Sequence, residues 1–321
     1  MTESAGVPVE QADEDQEPSK YGLNLLLFAL TVVSVFWTGA AELDPTLADS
    51  LDPRRLLEIG RGWPFAVPLL AILIAHESGH YIAARIHRVP ASLPFFIPLP
   101  KLSPFGTMGA IIGMSGRIRS RVALLDIGAA GPLAGMVVAL PVLAFGLSRS
   151  PIGVNPEHYT QEGQSLLYSL MKRLFVGPIP DGCDVQLGPT AAAGWVGLLI
   201  TMINMLPWGQ LDGGHIAYAL FGEQQNAFSA KVRYALFVFG GAMVGYGAWE
   251  ARHAAQATPL MLASGSWLLW AVVLTVMSRV FGANHPPTED DTFGPRRRVA
   301  AWACLVLFVL LFMPRWLVPS V

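Results

Sequence analysis

Residues 63–87 read WPFAVPLLAILIAHESGHYIAARIH, an apolar run that turns abruptly to histidine and glutamate halfway along. A helix of this length, at roughly 1.5 Å per residue, crosses about 30 Å of hydrocarbon. Ionisable groups at such depth cost free energy unless they are paired or metal-bound. His76 and His80 stand four apart, so helical geometry turns both rings to one face, about 6 Å apart along the axis, and one zinc ion can bridge them. Glu77 lies beside them, where a carboxylate can take a proton from an activated water and hand it to a leaving amine. The HExxH pattern thus predicts metal-dependent peptide hydrolysis. Reading the same residues as two core histidines and a solvated glutamate leaves three titratable groups in an apolar helix without a partner.

The rest of the chain supports a membrane setting. Of 321 residues 53% are hydrophobic and 14% charged, with a mean hydropathy of +0.46, too apolar for a soluble domain of this size. A net charge of −2 gives no sign of nucleic acid as a partner. The two cysteines, Cys183 and Cys304, predict neither a disulfide framework nor a thiolate zinc site. Residues 1–20 are acidic and poor in large apolar side chains, as in a disordered tail, and lack the basic start of a cleaved signal peptide.

Runs of roughly 20 apolar residues predict six or seven transmembrane helices: Gly22–Ala41, Trp63–His87, Val122–Leu147 (broken at Gly131 and Pro132), Pro189–Leu206, Val232–Trp249, Leu260–Phe281 and Val299–Leu317. Arg85, Arg88, Lys101, Arg117, Arg119 and Arg121 crowd the connection after the second run without an acid, which places it in the cytoplasm. The N-terminus and the loops 207–231 and 282–298 fall on that side, and the loops 42–62 and 148–188 on the other. The connection also holds a β-prone run from Thr107 to Ile112 among prolines and glycines, read as a re-entrant or surface-lying hairpin. The expected fold is therefore an all-α polytopic membrane protein with one small membrane-associated β-hairpin, a bacterial cell-membrane protein with its N-terminus inside. Its protease domain is 21–321, with its core at 60–220.

Catalytic zinc takes three protein ligands and keeps one position open. Asp212, in NMLPWGQLDGGH (204–215), is the best placed third donor, because the topology puts it on the same side as the cytoplasmic end of the HESGH helix. Its Asp-Gly-Gly setting equally suits an Asx turn or a helix N-cap. Asn204 could donate to a substrate carbonyl or developing oxyanion, or bridge helices. His215 reads as a donor behind the metal or as a structural residue, and Gly131 and Gly135 as positions of close helix packing. His285–Asp291, HPPTEDD, reads as a proline-rich solvated loop with no catalytic role.

These residues resemble the site-2 proteases, intramembrane metalloproteases that cut transmembrane helices. HESGH is similar to that family's HExxH helix, and Asn204, Pro207, Asp212 and Gly213 stand as in its second motif, whose aspartate is a zinc ligand. GAAGPLAG (128–135) is similar to its glycine-proline motif, and FGTMGAII (105–112) to its membrane-associated hairpin. The likeness spans about residues 60–220, and the first and last runs match only in hydrophobicity. It implies Asp212 as the third ligand and cleavage near the cytoplasmic leaflet. The chain departs from familiar members in having no room for a PDZ or CBS domain.

Together these readings predict one zinc ion per chain on His76, His80 and Asp212, with Glu77 as general base and then acid. Thr107, Met108 and Gly109 would take an extended segment of a single-span membrane protein by strand addition. The competing reading is a non-enzymatic zinc transporter or scaffold. A transporter would spread polar groups over several helices through the midplane, whereas here they gather toward one side, and a structural zinc needs no Glu77.

Overall fold

The computed structural model describes residues 21–49, 53–114, 118–154, 160–252, 264–280, 282, 284–289 and 292–319. The acidic N-terminal stretch lies outside them. Among the described residues, four helices are long and apolar enough to cross a membrane: α1 (Tyr21–Leu43), α3 (Trp63–Ile86, extended upstream through a 3-10 turn at Pro53–Gly62), α4 (Arg121–Leu147) and α8 (Gln224–Ala251). Two further apolar helices are shorter, α6 (Pro189–Asn204) and α9 (Ser266–Val280), so length and hydropathy alone support four spans where the sequence suggests six or seven. Exposed apolar side chains such as Leu25, Val137 and Val238 line the outside, as they do where helices meet lipid.

Local chemistry explains most helix ends. Pro64 and Pro189 sit in the first turns of α3 and α6, where a missing N–H costs nothing. Ser120 caps α4 by accepting from the Ala123 N–H at 3.2 Å. Contrary to the sequence reading, α4 is unbroken at Gly131 and Pro132 and runs on through Pro141. The last apolar run also differs: α10 (Pro295–Leu311) stops ahead of Pro314, which disfavours helix in the residue before it. Residues Leu317–Pro319 instead form a strand, β6, paired with β4 (Thr160–Glu162).

Helix α4 is the centre of the bundle, packed along α3, α6 and α7 (Asp212–Phe221). Leu69, Leu124, Leu143 and Leu198 are fully buried around it. Its glycines let neighbours approach closely: a methyl on Gly194 of α6 would lie 2.7 Å from the Leu143 Cα. The short α7 fills part of what the sequence presents as a loop. It starts on Asp212, an acid in the first turn, and stops at Gly222, whose φ of 62° only glycine adopts readily.

Side-chain and backbone links sort the connections into two ends. At one end Arg121 donates to the Ala219 carbonyl at 2.8 Å, Glu289 N–H donates to the Arg119 carbonyl at 2.7 Å, and Arg297 pairs with Asp126 at 2.9 Å. At this end β1 (Phe95–Pro98) and β2 (Thr107–Ile111) pair antiparallel, with an irregular register between Phe96 and Pro98. The strand pair is tied to α1 through Asn24, which donates to the Leu93 carbonyl at 2.8 Å. At the other end the described parts of the connection 148–188 carry β3 (Ile152–Val154), β4, α5 (Leu166–Phe175) and β5 (Cys183–Val185). There a buried Lys172 lies 3.3 Å from Glu162 and 2.5 Å from Asp184.

Candidate metal centre

Helix α3 carries His76 and His80 toward α4 and α7, and α7 presents Asp212 from its first residue. His76 Nε2 lies 3.2 Å from Asp212 Oδ2, His80 Nε2 lies 3.2 Å from Asp212 Oδ1, and the two Nε2 atoms are 3.1 Å apart. Donors on a tetrahedral zinc with bonds of about 2.0–2.1 Å stand roughly 3.3–3.4 Å apart, so the spacing fits one ion. Asp212 thus faces both histidines, and the three residues form a group that could hold a metal ion.

Proton placement makes the case for a cation stronger than distance alone. His80 Nδ1 is 2.8 Å from the Ile127 carbonyl, which only accepts, so that nitrogen holds a hydrogen, and in a neutral ring Nε2 faces Asp212 as an acceptor. The Asn204 amide donates to His76 Nε2 at 3.3 Å, so that nitrogen is an acceptor too. Asp212 Oδ2 is buried without a hydrogen bond. With both rings neutral, acceptor atoms of His76, His80 and Asp212 converge on one point, an arrangement that a divalent cation stabilises.

Helix α4 presses on this centre through glycine. A Cβ on Gly131 would overlap the imidazole of His80, and one on Gly135 would lie 3.3 Å from His76 Nδ1. On the other side, Gly79 of the HESGH helix meets the Ala130 carbonyl so closely that a methyl would clash. The glycines read from the sequence as packing positions are thus where α4 backs the ligand rings.

His76, Glu77, His80 and Asp212 open onto a cavity of about 410 Å³ that also reaches Asn204, Trp208 and the strand residues Ala110 and Ile111. Glu77 is 5% exposed and lines this cavity beside the ligands. Of the strand residues singled out in the sequence, Met108 points outward at 50% exposure, and Thr107 is buried, its hydroxyl donating to the Ile97 carbonyl at 2.9 Å. Gly109 takes a φ of 96° with its N–H on Thr107 Oγ1 at 3.0 Å, so it shapes the turn of the strand. The cavity is walled by the next residues, 110–112.

His285 departs from the sequence reading. It is buried, not solvated: its ring stacks on Tyr218 at 4.2 Å, and its Nε2 meets His215 Nδ1 at 2.9 Å. Asp290 and Asp291 of the same stretch lie outside the described residues. The one sequence signal for this placement is a histidine before two prolines, which fixes an extended backbone but says nothing of a contact 70 residues away.

The profile of peptidase family M50 matches residues 64–246, more than half of the chain. The chain is 31% identical over 324 residues to the probable zinc metalloprotease EGY1, chloroplastic, of Oryza sativa subsp. japonica, an alignment covering 92% of this chain and 51% of that protein. Its namesake in Arabidopsis thaliana is 30% identical over 323 residues, covering 92% and 54%. The probable zinc metalloprotease EGY2, chloroplastic, of Arabidopsis thaliana is 31% identical over 198 residues, covering 61% and 35%. The chain spans about half the length of the first two and less of the third. These relatives are named as chloroplast proteins, so the expectation of a bacterial cell membrane gains no support from them. The matched region holds the HESGH helix, the glycine-backed α4 and Asp212, and the chain belongs to peptidase family M50, the site-2 proteases.

Proposed function

We propose that this chain is an intramembrane zinc metalloprotease that cuts membrane-anchored proteins near the end of the bundle carrying the basic connections 85–121 and 296–298. The observation that carries this reading is the convergence of three potential ligand atoms, His76 Nε2, His80 Nε2 and an Asp212 oxygen, at 3.1–3.2 Å beside a buried glutamate.

In this reading His76, His80 and Asp212 would hold one zinc ion, which when bound would supply Lewis acidity at the scissile carbonyl and lower the pKa of a water toward neutrality. Glu77 takes the proton of the attacking water and passes it to the leaving amine. The Asn204 amide, already within 3.3 Å of His76 Nε2, donates to the oxygen on which charge develops. A helical peptide bond keeps its carbonyl hydrogen-bonded, so the substrate must unwind before it reacts. β2 offers a template for that state: among the described residues it pairs with β1 alone, and Ala110 and Ile111 carry it into the cavity. Substrates are accordingly single-span membrane proteins presented as an extended strand along 107–112.

The test is cleavage of a panel of single-span proteins by the purified chain in detergent, with and without a chelator, read by mass spectrometry. The wild-type protein should cut at least one of them in a chelator-sensitive way, and Glu77→Gln should retain zinc while losing activity by about 10²–10⁴-fold. Undiminished cleavage by Glu77→Gln would refute the assignment. A carrier would give equal zinc handling by both proteins and no cleavage by either.

A further inference from the structure

Beside the zinc ligands the cavity is lined by His215, which is 7% exposed. It stands outside the group whose donor atoms converge, so it is not a fourth ligand of that ion. Its hydrogen bonding is set from behind by His285, and His285 is firmly placed. The His285 N–H donates to Asn226 Oδ1 at 2.8 Å, Glu289 anchors the same segment on the Arg119 carbonyl at 2.7 Å, and Tyr218 stacks on the ring.

The protons in this chain can be assigned from one carbonyl. His285 Nδ1 is 2.7 Å from the Pro286 carbonyl, which can only accept, so Nδ1 carries the hydrogen. Burial lowers the pKa of His285 and keeps the ring neutral, which leaves its Nε2 bare. His215 Nδ1, 2.9 Å away, must then be the donor. A neutral His215 with its hydrogen on Nδ1 has a bare Nε2, and among the described residues that atom has no partner. His215 lines the cavity, so a molecule entering there is favoured if it brings an N–H to that acceptor.

We infer that His215 is a substrate-binding residue whose bare Nε2 accepts a main-chain N–H of the extended peptide, and that His285 is the positioning residue that fixes its tautomer. This rests on the protease reading, which supplies the extended peptide along β2. It makes the segment between α9 and α10 part of the active site, and it selects for a backbone amide, so it discriminates unwound from helical substrate, whose N–H groups are already engaged.

Two measurements test it on the full-length, zinc-loaded protein in detergent. The first is 15N NMR of histidine-labelled protein: His215 should carry its hydrogen on Nδ1, lose that preference in His285→Phe, and regain it in His285→Gln, whose amide oxygen can accept in place of Nε2. The second is binding of a peptidyl hydroxamate and of analogues N-methylated at each main-chain nitrogen in turn. Methylation at one nitrogen should weaken binding to the wild type about tenfold, the worth of one hydrogen bond. His215→Phe should bind the parent probe about tenfold more weakly and not distinguish the analogues, and His215→Gln should recover part of the difference, with zinc content equal in all variants. A wild-type His215 with its hydrogen on Nε2, or a His215→Phe protein as discriminating as the wild type, would overturn the inference alone. A wild-type protein that binds neither zinc nor hydroxamate would overturn the protease reading and this inference with it.

Discussion

Two clusters of buried acids sit at opposite ends of the bundle, and they are balanced differently. At the end formed by β4, α5 and β5, Glu162 and Asp184 share the ammonium of Lys172 at 3.3 and 2.5 Å, and the Tyr168 hydroxyl donates to Glu162 at 2.7 Å. At the other end, Asp212 faces two imidazole nitrogens at 3.2 Å. Each cluster leaves one carboxylate oxygen without a hydrogen bond, Glu162 Oε2 and Asp212 Oδ2. Among the described residues, the first cluster has a lysine as its cation, and the second has two imidazoles. In the protease reading the cation of the second cluster is a zinc ion from outside, which offsets the cost of a buried anion.

The contrast can be broken from either side. The largest effect on metal binding is expected at the zinc end: Gly131→Val places its side chain on the His80 imidazole and should weaken zinc affinity by roughly 100-fold, the upper range for disturbing what supports a ligand. Chelator competition measures this, and unchanged affinity would mean that α4 does not hold the ligand rings. At the opposite end, Lys172→Met strands two buried carboxylates and should destabilise the fold by about 3–5 kcal/mol with zinc content unaltered. Replacing Glu162, Lys172 and Asp184 together by Gln, Met and Asn should restore most of that loss in a thermal melt, since a neutral cluster strands no charge. Failure of the triple variant to recover would assign the cluster a role beyond charge balance.

The smallest effect is one of pH. Burial opposes ionisation of Asp184, but Lys172 and the Val185 N–H outweigh it and hold its carboxyl below the ordinary value of 3.8. A carboxyl with a depressed folded-state pKa contributes stability above its unfolded value, and the contribution disappears as pH falls through the folded one. The gap in melting temperature between wild type and Asp184→Asn should therefore be constant above about pH 5 and close in acid below 3.8. A gap independent of pH would contradict the assignment.

How much of this was legible in the sequence follows from the range of each signal. The HESGH helix announces itself because spacing of four and an apolar setting are both local, and Asp212 emerges once topology brings its loop to the same side. The helix α7 is hidden because Gly213 and Gly214 open it, residues that ordinarily weaken helices. Here a side chain at either glycine would run into the backbone of residues 205–209, so packing overrides propensity. Helix α4 persists through Pro132 because its neighbours hold it in place. Lys172, Glu162 and Asp184 look like solvated loop charges because nothing local records that α5, β4 and β5 fold over one another. His285 is concealed for the same reason: its partner His215 is 70 residues away.

Zinc K-edge X-ray absorption on the purified chain tests the central claim most directly. The account predicts one zinc per chain with two imidazoles and oxygen donors at about 2.0–2.1 Å, one imidazole lost in His80→Ala, and a changed oxygen shell in Asp212→Asn. Sulfur scatterers at about 2.3 Å, or a spectrum indifferent to both substitutions, would contradict it.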